Sequence, residues 1–336
     1  MPVTDTKPLL KATGLKCRFD VSKPFMNRLI ERIPRQFLKA VDGVAFSINS
    51  GETFALVGES GCGKSTVAYM VVGLYTPTAG KIYFDGIDMA SLADRSEALK
   101  LRRRMAMIFQ DPYASLNPRW RVTRIVSEPI RAFGLLQKKE AVLTRTAELL
   151  RQVGLTARDG DKFPHEFSGG QRQRISIARA LASEPDFIVC DEPTSALDVS
   201  VQAQILNLMK DLQEQLGLSY LFISHDLAVV RHMAHRVGVM YLGRLCEVAP
   251  ADELFDHPRH PYTRLLFDTI PDILMTGRTR SPVQGEIPNP LNPPSGCTFH
   301  PRCQLKNDRC LREVPMLRAD GKNRRVACHA VEENRF

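Results

Sequence analysis

The sequence has no long apolar run, no leader-like start and no internal repeat. No stretch approaches the roughly 18 consecutive apolar residues of a membrane-spanning helix. The first residues, MPVTDTKPLL, lack a basic segment followed by an apolar core, so we expect no secretory signal and a reducing cytoplasm. The 336 residues are 43% apolar and 25% charged, which is the balance of a globular protein with one large or two small domains. This balance excludes a disordered chain, a collagen-like fibre and a small disulfide scaffold.

The charge balance is mildly basic. The sequence has 46 Lys and Arg residues against 37 Asp and Glu residues, so the net charge is +9. Such a charge is compatible with nucleic acid, a membrane surface or an acidic partner, and it selects none of them. We interpret the basic segment 23–37 (KPFMNRLIERIPRQF) as a solvated surface loop, with contact to lipid head groups as the alternative.

Strand and helix patterns alternate along most of the chain. Apolar runs at 38–48, 53–58, 105–109, 187–190 and 220–224 predict strands. Apolar residues at steps of three and four from Val201 to Leu216 predict a helix that ends at Gly217, and 118–165 is rich in helix formers. A hairpin is expected over 236–249. This order predicts an α/β fold with a mainly parallel sheet covered by helices.

A glycine-rich loop between a strand and a helix carries the clearest chemical signal. Gly58–Ser65 (GESGCGKS) fits the pattern G-x-x-x-x-G-K-[ST]. Glycines let backbone N–H groups surround phosphate oxygens, and the following helix adds its N-terminal dipole. We expect Lys64 to reach the β- and γ-phosphates and the Ser65 hydroxyl to bind Mg²⁺. The expected nucleotide contacts here are Gly58, Glu59, Ser60, Gly61, Cys62, Gly63, Lys64, Ser65 and Thr66. We interpret Cys62 as a small side chain, with a redox role as the alternative.

Two further segments complete a nucleotide-hydrolysis pattern. The apolar strand FIVC ends in Asp191 and Glu192, where open α/β sheets bind ligands. We expect Asp191 to hold Mg²⁺ through water and Glu192 to act as general base for the attacking water. The second segment consists of Ser168, Gly169, Gly170 and Gln171. It opens another helix and predicts a second anion-binding helix start, with an ordinary capped helix as the alternative.

These motifs, in this order, resemble those of ATP-binding cassette (ABC) transporter subunits over roughly residues 8–260. SGGQ is the signature sequence of that superfamily, and other phosphate-loop ATPases lack it. The resemblance implies an ABC-type P-loop fold in a domain over 1–260, with a mainly parallel sheet, an antiparallel β part and a helical subdomain over about 92–182. It also implies a head-to-tail pair of subunits, with each ATP between one phosphate loop and the partner's SGGQ.

The resemblance also implies roles for single residues. Phe19 would stack on adenine, with Phe25 as a weaker choice. Gln110 would contact Mg²⁺ and couple to a membrane subunit. Asp198, in the sequence SALD, would lie in the loop that connects the two ATP sites, and His225 would contact the γ-phosphate. The expected catalytic set is Lys64, Glu192 and His225, and the expected Mg²⁺ set is Ser65, Gln110 and Asp191.

Three longer segments resemble one branch of the superfamily, the peptide, opine and nickel uptake transporters. They are QDPYASLNP at 110–118, HPRHPYT at 257–263, and PLNPPSGC at 290–297 followed by FHPRC at 299–303. The likeness is greatest to the second ATPase subunit of dipeptide and oligopeptide importers. It implies a second, different ATPase subunit, two transmembrane permease subunits and an extracytoplasmic peptide-binding protein. We therefore expect an ATPase that powers peptide uptake as a peripheral protein at the cytoplasmic face of the inner membrane, without a nucleic-acid partner.

Four of the eight cysteines crowd into the C-terminal extension expected at 261–336. They are Cys297, Cys303, Cys310 and Cys328. Their spacing, C-x5-C-x6-C-x17-C, lacks the C-x2-C pairs of zinc ribbons, whereas four thiolates can hold a [4Fe–4S] cluster without such pairs. Some importers of this branch carry a cluster on a similar set. We therefore expect an iron–sulfur site, with no metal as one alternative and zinc, helped by His300 or His329, as the other.

Two other classes of function stay open. A soluble cassette ATPase that acts on nucleic acid or ribosomes is compatible with the charge, although such proteins usually carry two cassettes and this chain has one. A redox-sensing module would use the C-terminal cysteines and would make ATP hydrolysis secondary. The identity of the cargo, whether dipeptide, longer peptide, glutathione or nickel complex, also stays open.

Overall fold

The structure is a computed structural model that describes residues 7–24, 27–28, 30, 34–91, 94–268, 286 and 288–336. Phe25 and part of the basic segment 23–37 lie outside the described residues. The chain divides into two compact units that are interleaved in sequence. Unit 1 comprises the described residues up to Leu10, those of Tyr83–Ser224, and Ile48–Thr53. Unit 2 comprises the described residues of Lys11–Ser47, Phe54–Ile82 and His225–Phe336.

The described elements alternate between strands and helices along most of the chain. The strands are β1 (Leu10–Asp20), β2 (Phe37–Ile48), β3 (Thr53–Val57), β4 (Ala79–Phe84), β5 (Ile87–Asp88), β6 (Met105–Ile108), β7 (Phe187–Asp191), β8 (Ser219–Ile223), β9 (Arg236–Tyr241), β10 (Arg244–Pro250), β11 (Arg318–Ala319) and β12 (Arg325–Val326). The α-helices are α1 (Lys64–Val71), α2 (Arg95–Arg103), α3 (Pro112–Ser115), α4 (Val122–Ala132), α5 (Lys139–Gln152), α6 (Gly169–Leu181), α7 (Val199–Leu216), α8 (Leu227–Met233), α9 (Ala251–Asp256), α10 (Pro261–Asp268), α11 (Asp308–Arg312) and α12 (His329–Glu332). Short 3-10 turns occur at Ala157–Asp161, Pro164–Glu166 and His300–Arg302.

Unit 1 contains a parallel run of three strands in which β7 lies between β6 and β8. All residues of β7 and β8 are buried, which explains why both strands have continuous apolar runs rather than an alternating pattern. Asp191, the last residue of β7, is opposite Ile223 in the register. The fold therefore places Asp191 and Glu192 at the carboxyl end of a buried strand, as the sequence predicted.

Helices α4, α5 and α6 pack against one another in unit 1, and α4 and α5 confirm the helical prediction for 118–165. Helix α7 also lies where it was expected, but its buried face differs from the predicted one. Ile205, Met209 and Leu212 are buried, whereas Leu216 is 49% exposed. The helix packs one stripe of side chains inward, and Leu216 at its C-terminal end lies outside that stripe.

Unit 2 contains parallel and antiparallel pairing. Strand β9 runs parallel to β3 and antiparallel to β10, with the predicted hairpin turning at Leu242 and Gly243. Strand β10 then pairs with β12, and β12 pairs with β11. Strands β2, β1 and β4 are neighbours, in that order, in a second sheet. Tyr262 and Phe299 pack into the same apolar core as Val57, Val237 and Tyr241, so residues beyond 260 share the core of these strands. Among the described helices, none is both long and apolar enough to cross a membrane.

Candidate nucleotide-binding site

The glycine-rich loop of unit 2 joins β3 to α1 and encloses the side chain of Lys64. Lys64 is only 6% exposed, and its Nζ donates hydrogen bonds to the carbonyl oxygens of Gly58 (2.8 Å) and Glu59 (3.1 Å). Gly63 has a φ of 105°, and a Cβ there would clash with the carbonyl oxygen of Ala40. Only glycine meets both constraints. The loop therefore places a cation beside a helix start, which is the arrangement that binds phosphate.

The residues beside Lys64 are consistent with this chemistry. Ser65 and Thr66 lie in the first turn of α1 and are half-buried. Cys62 is buried, and its Sγ lies 3.8 Å from Lys64 Nζ. Burial raises the pKa of the Cys62 thiol. A protonated, buried thiol acts as a small side chain, so this environment disfavours the redox alternative.

Phe19 lies at the end of β1 in a small group of aromatic rings. Its ring meets that of Tyr75 edge-on at 5.4 Å between centroids, and Tyr75 in turn meets Tyr69 of α1 at 5.4 Å. Phe19 is half-buried, so part of its ring is accessible. The two tyrosines received no role in the sequence analysis, because nothing in their spacing links them to Phe19.

Unit 1 brings Gln110 and Glu192 together. Gln110 Nε2 donates to Glu192 Oε2 at 2.9 Å. Glu192 has a φ of 47°, a left-handed conformation that costs about 1–3 kcal/mol for a residue with a side chain. Its backbone N–H donates to the carbonyl oxygen of Ile223, and its own carbonyl accepts from the N–H and hydroxyl of Ser195. These bonds hold the strained residue in place directly after the buried Asp191.

The SGGQ segment caps helix α6. Ser168 Oγ accepts from the N–H of Gln171, and Gln171 Oε1 accepts from the N–H of Ser168, which is a capping box. The capped-helix alternative therefore describes the local geometry, and it leaves the side chains of Ser168 and Gln171 exposed. Gly169 and Gly170 form the first turn. A Cβ on Gly170 would clash with Cγ1 of Val201 on helix α7, so the two helices approach closely at this point.

Asp198 and His225 lie at helix starts. Asp198 Oδ1 accepts from the N–H of Val201 (3.0 Å) and the hydroxyl of Ser200 (2.8 Å), so it caps helix α7. The hydrogen bond from Val201 is the main cause that lowers the pKa of Asp198. His225 is exposed and directly precedes Asp226, the cap of helix α8. The roles of Asp198 at a dimer interface and of His225 at the γ-phosphate stay predictions.

The structure adds two residues that the sequence analysis did not place in the site. The N–H of Glu59 donates to the Tyr262 hydroxyl at 2.9 Å. The Arg302 guanidinium donates from Nη1 to Glu59 Oε2 at 2.8 Å and from Nη2 to Oε1 at 2.9 Å. Both residues lie in branch-specific segments, HPRHPYT and FHPRC. The resemblance of those two segments was the signal that the sequence offered for these residues. It did not reveal their contact with Glu59, because Glu59 is distant in sequence.

The four C-terminal cysteines converge on one small cavity in unit 2. The cavity is lined by Cys297, Cys303, Cys310, Cys328, His300 and His329, among others. None of the four is in a disulfide. The cavity has a volume of about 10 Å³, the least that holds one water molecule. Across the described ranges, which include all four cysteines, no group of three or more His, Cys, Asp or Glu side chains is arranged to hold a metal ion.

The cysteine environment agrees only in part with the iron–sulfur prediction. The donor set is soft, as iron–sulfur clusters require. The cavity, however, is too small for a cluster unless the thiols move apart. Burial raises the pKa of Cys297 to about 12, so a metal would also have to displace a tightly held proton. The two candidate replacement ligands are engaged: His300 Nδ1 lies 2.9 Å from the Cys297 carbonyl oxygen, and His329 Nε2 lies 3.0 Å from that of Glu313.

The phosphate loop, the acidic strand end and the SGGQ helix together define an ABC-type ATPase. Comparison with protein families agrees. Residues 41–195 match the family described as ABC transporter, and residues 246–310 match the oligopeptide/dipeptide transporter C-terminal region. The chain belongs to the family of ATP-binding proteins of peptide ABC transporters.

Relatives and solved structures support this assignment. The chain is 52% identical over 87% of its length, and 82% of the relative's, to a probable peptide ABC transporter ATP-binding protein of Sinorhizobium fredii. It is 46% identical over 98% of its length, and 96% of the relative's, to the dipeptide transport ATP-binding protein DppF of Escherichia coli. The dimeric, post-hydrolysis ATP-binding cassette MJ0796 bound to ADP and Pi is 29% identical, with a TM-score of 0.62, 72% of this chain and 98% of that chain covered. These likenesses confirm the ABC cassette fold and the ATPase class.

The close contact between Gly170 and Val201 generates a test. Gly170→Ala should destabilise the protein by about 1–3 kcal/mol, because the added methyl overpacks the α6–α7 contact. Val201→Ala in the same chain should restore most of the lost stability by removing the opposing methyl groups. Urea unfolding of the two single variants and the double variant measures this. If the double variant is no more stable than Gly170→Ala alone, the contact is not the cause of the loss.

Proposed function

We propose that this ATPase powers the uptake of peptides across the cytoplasmic membrane. It would act as one of two different ATPase subunits, bound to two transmembrane permeases that receive peptides from an extracytoplasmic binding protein. Its place would be the cytoplasmic face of the inner membrane, as a peripheral protein. The domain division proposed is a cassette over 1–260, with its helical subdomain at about 92–182, and a C-terminal extension over 261–336.

The observation that carries this proposal is that the similarity continues beyond the cassette. The match at 246–310 is to a C-terminal region described for oligopeptide and dipeptide transporters. The relatives reported above are named for peptide transport, and in DppF the similarity covers 98% of this chain. A general ABC ATPase needs only the cassette, so the additional region favours peptides as the cargo.

The proposed mechanism places each ATP between the phosphate loop of one subunit and the SGGQ segment of the other. Lys64 would bind the β- and γ-phosphates, and His225 would contact the γ-phosphate. The Ser65 hydroxyl, the Asp191 carboxylate and the Gln110 amide oxygen are the hard oxygen donors that suit Mg²⁺. When bound, Mg²⁺ would neutralise charge on the phosphates.

Glu192 is the proposed general base, and its surroundings suit that role. The Gln110 amide donates its Nε2–H to Glu192 Oε2, so Gln110 Oε1 stays available for the metal. The same hydrogen bond orients the carboxylate, which is needed to align an attacking water. ATP that binds across two subunits favours the closed dimer, and loss of the γ-phosphate removes part of that preference.

We propose as a separate point that the cysteine pocket is a metal site, with [4Fe–4S] ahead of zinc. Its support is that four thiols spread over more than thirty residues of sequence face one cavity. A metal centre that prefers soft thiolate ligands and is shared by all four would account for this convergence. This proposal requires the four thiols to move apart when the metal or cluster binds.

Changing the proposed base tests the hydrolysis mechanism. Glu192→Gln should bind MgATP as the unaltered protein does but lose turnover by about 100-fold or more, because the amide cannot accept the proton from water. ATP binding and steady-state phosphate release measure the two effects. Glu184→Gln is the matched control, since Glu184 also has a left-handed φ (53°) and pairs with Arg103 away from this site. Normal turnover in Glu192→Gln would remove Glu192 as the base.

Affinity purification from membranes tests the proposed complex. A tag on this chain should recover two polytopic membrane proteins and a second, different ATPase, because the transporter needs two ATPases and two permeases. Mass spectrometry identifies the recovered chains, and radiolabelled dipeptide uptake in a strain lacking this chain tests the cargo. Recovery of ribosomes or nucleic acid, or of this chain alone, would instead favour the soluble cassette ATPase.

Anaerobic purification tests the metal proposal. Iron and acid-labile sulfide should be present, with visible thiolate–iron absorbance, and Cys303→Ser should lower both. Cys17→Ser is the control, because Cys17 is a buried cysteine outside the pocket. Protein without iron or visible absorbance would overturn the cluster, and protein that carries zinc would replace it with the alternative.

A further inference from the structure

The C-terminal region reaches the phosphate loop through an ion pair between a buried arginine and a partly exposed glutamate. Arg302 and Glu59 form two parallel hydrogen bonds, at 2.8 and 2.9 Å. The Arg302 side chain is 2% exposed and that of Glu59 is 23% exposed. Both residues belong to unit 2, and 243 residues separate them in sequence. A bidentate pair fixes the orientation of the carboxylate as well as its charge.

The Arg302 side chain is packed between other buried side chains where it meets the loop. It ends the 3-10 turn His300–Arg302. Its guanidinium carbon lies 5.9 Å from the ring centroids of both Tyr241 and Phe299. Phe299 also packs against Tyr262, at 5.5 Å between ring centroids. The Tyr262 hydroxyl accepts the N–H of Glu59, so the side chain and the backbone of Glu59 are both bound by residues from beyond 260.

The charge of Glu59 explains why such a contact matters for nucleotide binding. Glu59 follows Gly58 in a loop that binds polyphosphate, and an unneutralised carboxylate there would repel the phosphates. An arginine guanidinium stays protonated in proteins, so Arg302 presents a full positive charge to the Glu59 carboxylate at hydrogen-bonding distance. The Arg302 charge therefore cancels that of Glu59 within the loop.

We propose that Arg302 is a positioning residue of the phosphate loop, which neutralises and orients Glu59 so that the loop accepts MgATP. Through Arg302, the C-terminal region then influences the affinity of the phosphate loop for MgATP. This inference rests on Gly58–Thr66 as the phosphate loop and not on peptide as the cargo.

Loss of the Arg302 guanidinium alone should weaken MgATP binding more than loss of both charged groups. Arg302→Met should raise the Kd for MgATP about tenfold, because it leaves the partly buried Glu59 carboxylate unpaired beside the phosphates. Glu59→Gln combined with Arg302→Met removes both charges and should recover part of the lost affinity, so its Kd for MgATP should be about threefold lower than that of Arg302→Met. Titration calorimetry on the full-length chain measures both values.

The number of phosphates on the nucleotide separates charge repulsion from general damage. In Arg302→Met the loss of affinity should be larger for ATP than for ADP, and it should shrink as salt is added, because the repulsion is electrostatic. KM for ATP should rise more than kcat falls, since the proposed role is in binding. Arg302→Lys keeps the charge but not the fork, so its Kd should lie between those of the unaltered protein and Arg302→Met.

Arg309→Met is the matched control. Arg309 forms ion pairs with Glu313, Glu332 and Glu333 in the same C-terminal region, so its loss tests damage to that region without changing Glu59. It should leave the Kd for MgATP unchanged. Unchanged ATP affinity in Arg302→Met would overturn the proposal. It would also fail if the double variant bound ATP as weakly as Arg302→Met. If Arg302→Met does not fold, the Kd values of Arg302→Lys and of the double variant are compared with that of the unaltered protein instead.

Discussion

The ammonium group of Lys64 organises the phosphate loop. Two carbonyl oxygens of the loop, from Gly58 and Glu59, accept its hydrogen bonds, so the backbone is drawn around a buried positive charge. A chain with a Cβ at residue 63 could not follow this path, because Ala40 lies too close. The Lys64 hydrogen bonds and the glycine at residue 63 therefore depend on the same path of the backbone. A loop of this kind at a helix start suits anionic ligands.

A second constraint operates at the end of β7. Residues after a buried parallel strand must leave the sheet sharply, and Glu192 does so with a left-handed backbone. Hydrogen bonds with Ile223 and Ser195 stabilise this strained backbone, and a hydrogen bond from Gln110 orients the Glu192 side chain. Strain of this kind persists where surrounding contacts enforce it, which is common at catalytic positions.

The C-terminal region is tied to the cassette by chemistry that its motifs alone do not reveal. Its aromatic residues enter the core beside β3 and β9, and Arg302 and Tyr262 bind both parts of Glu59. The cysteine cavity lies next to this contact, since Cys303 follows Arg302 directly. A region that shares a core with the strand leading to the phosphate loop is well placed to influence that loop.

The sequence alone determined the α/β class, the phosphate loop, the acidic strand end, the hairpin near Gly243 and the ABC family. These features depend on local patterns: apolar runs, glycine spacing and short motifs in a fixed order. Tertiary structure decided what those patterns cannot encode. It paired Arg302 with Glu59 and Gln110 with Glu192, and it placed Phe19 beside Tyr75. It also gathered four cysteines around a cavity that would hold the expected cluster only if the thiols moved apart. Such contacts join residues far apart in the chain, and their distances depend on how whole elements pack, which no local pattern specifies.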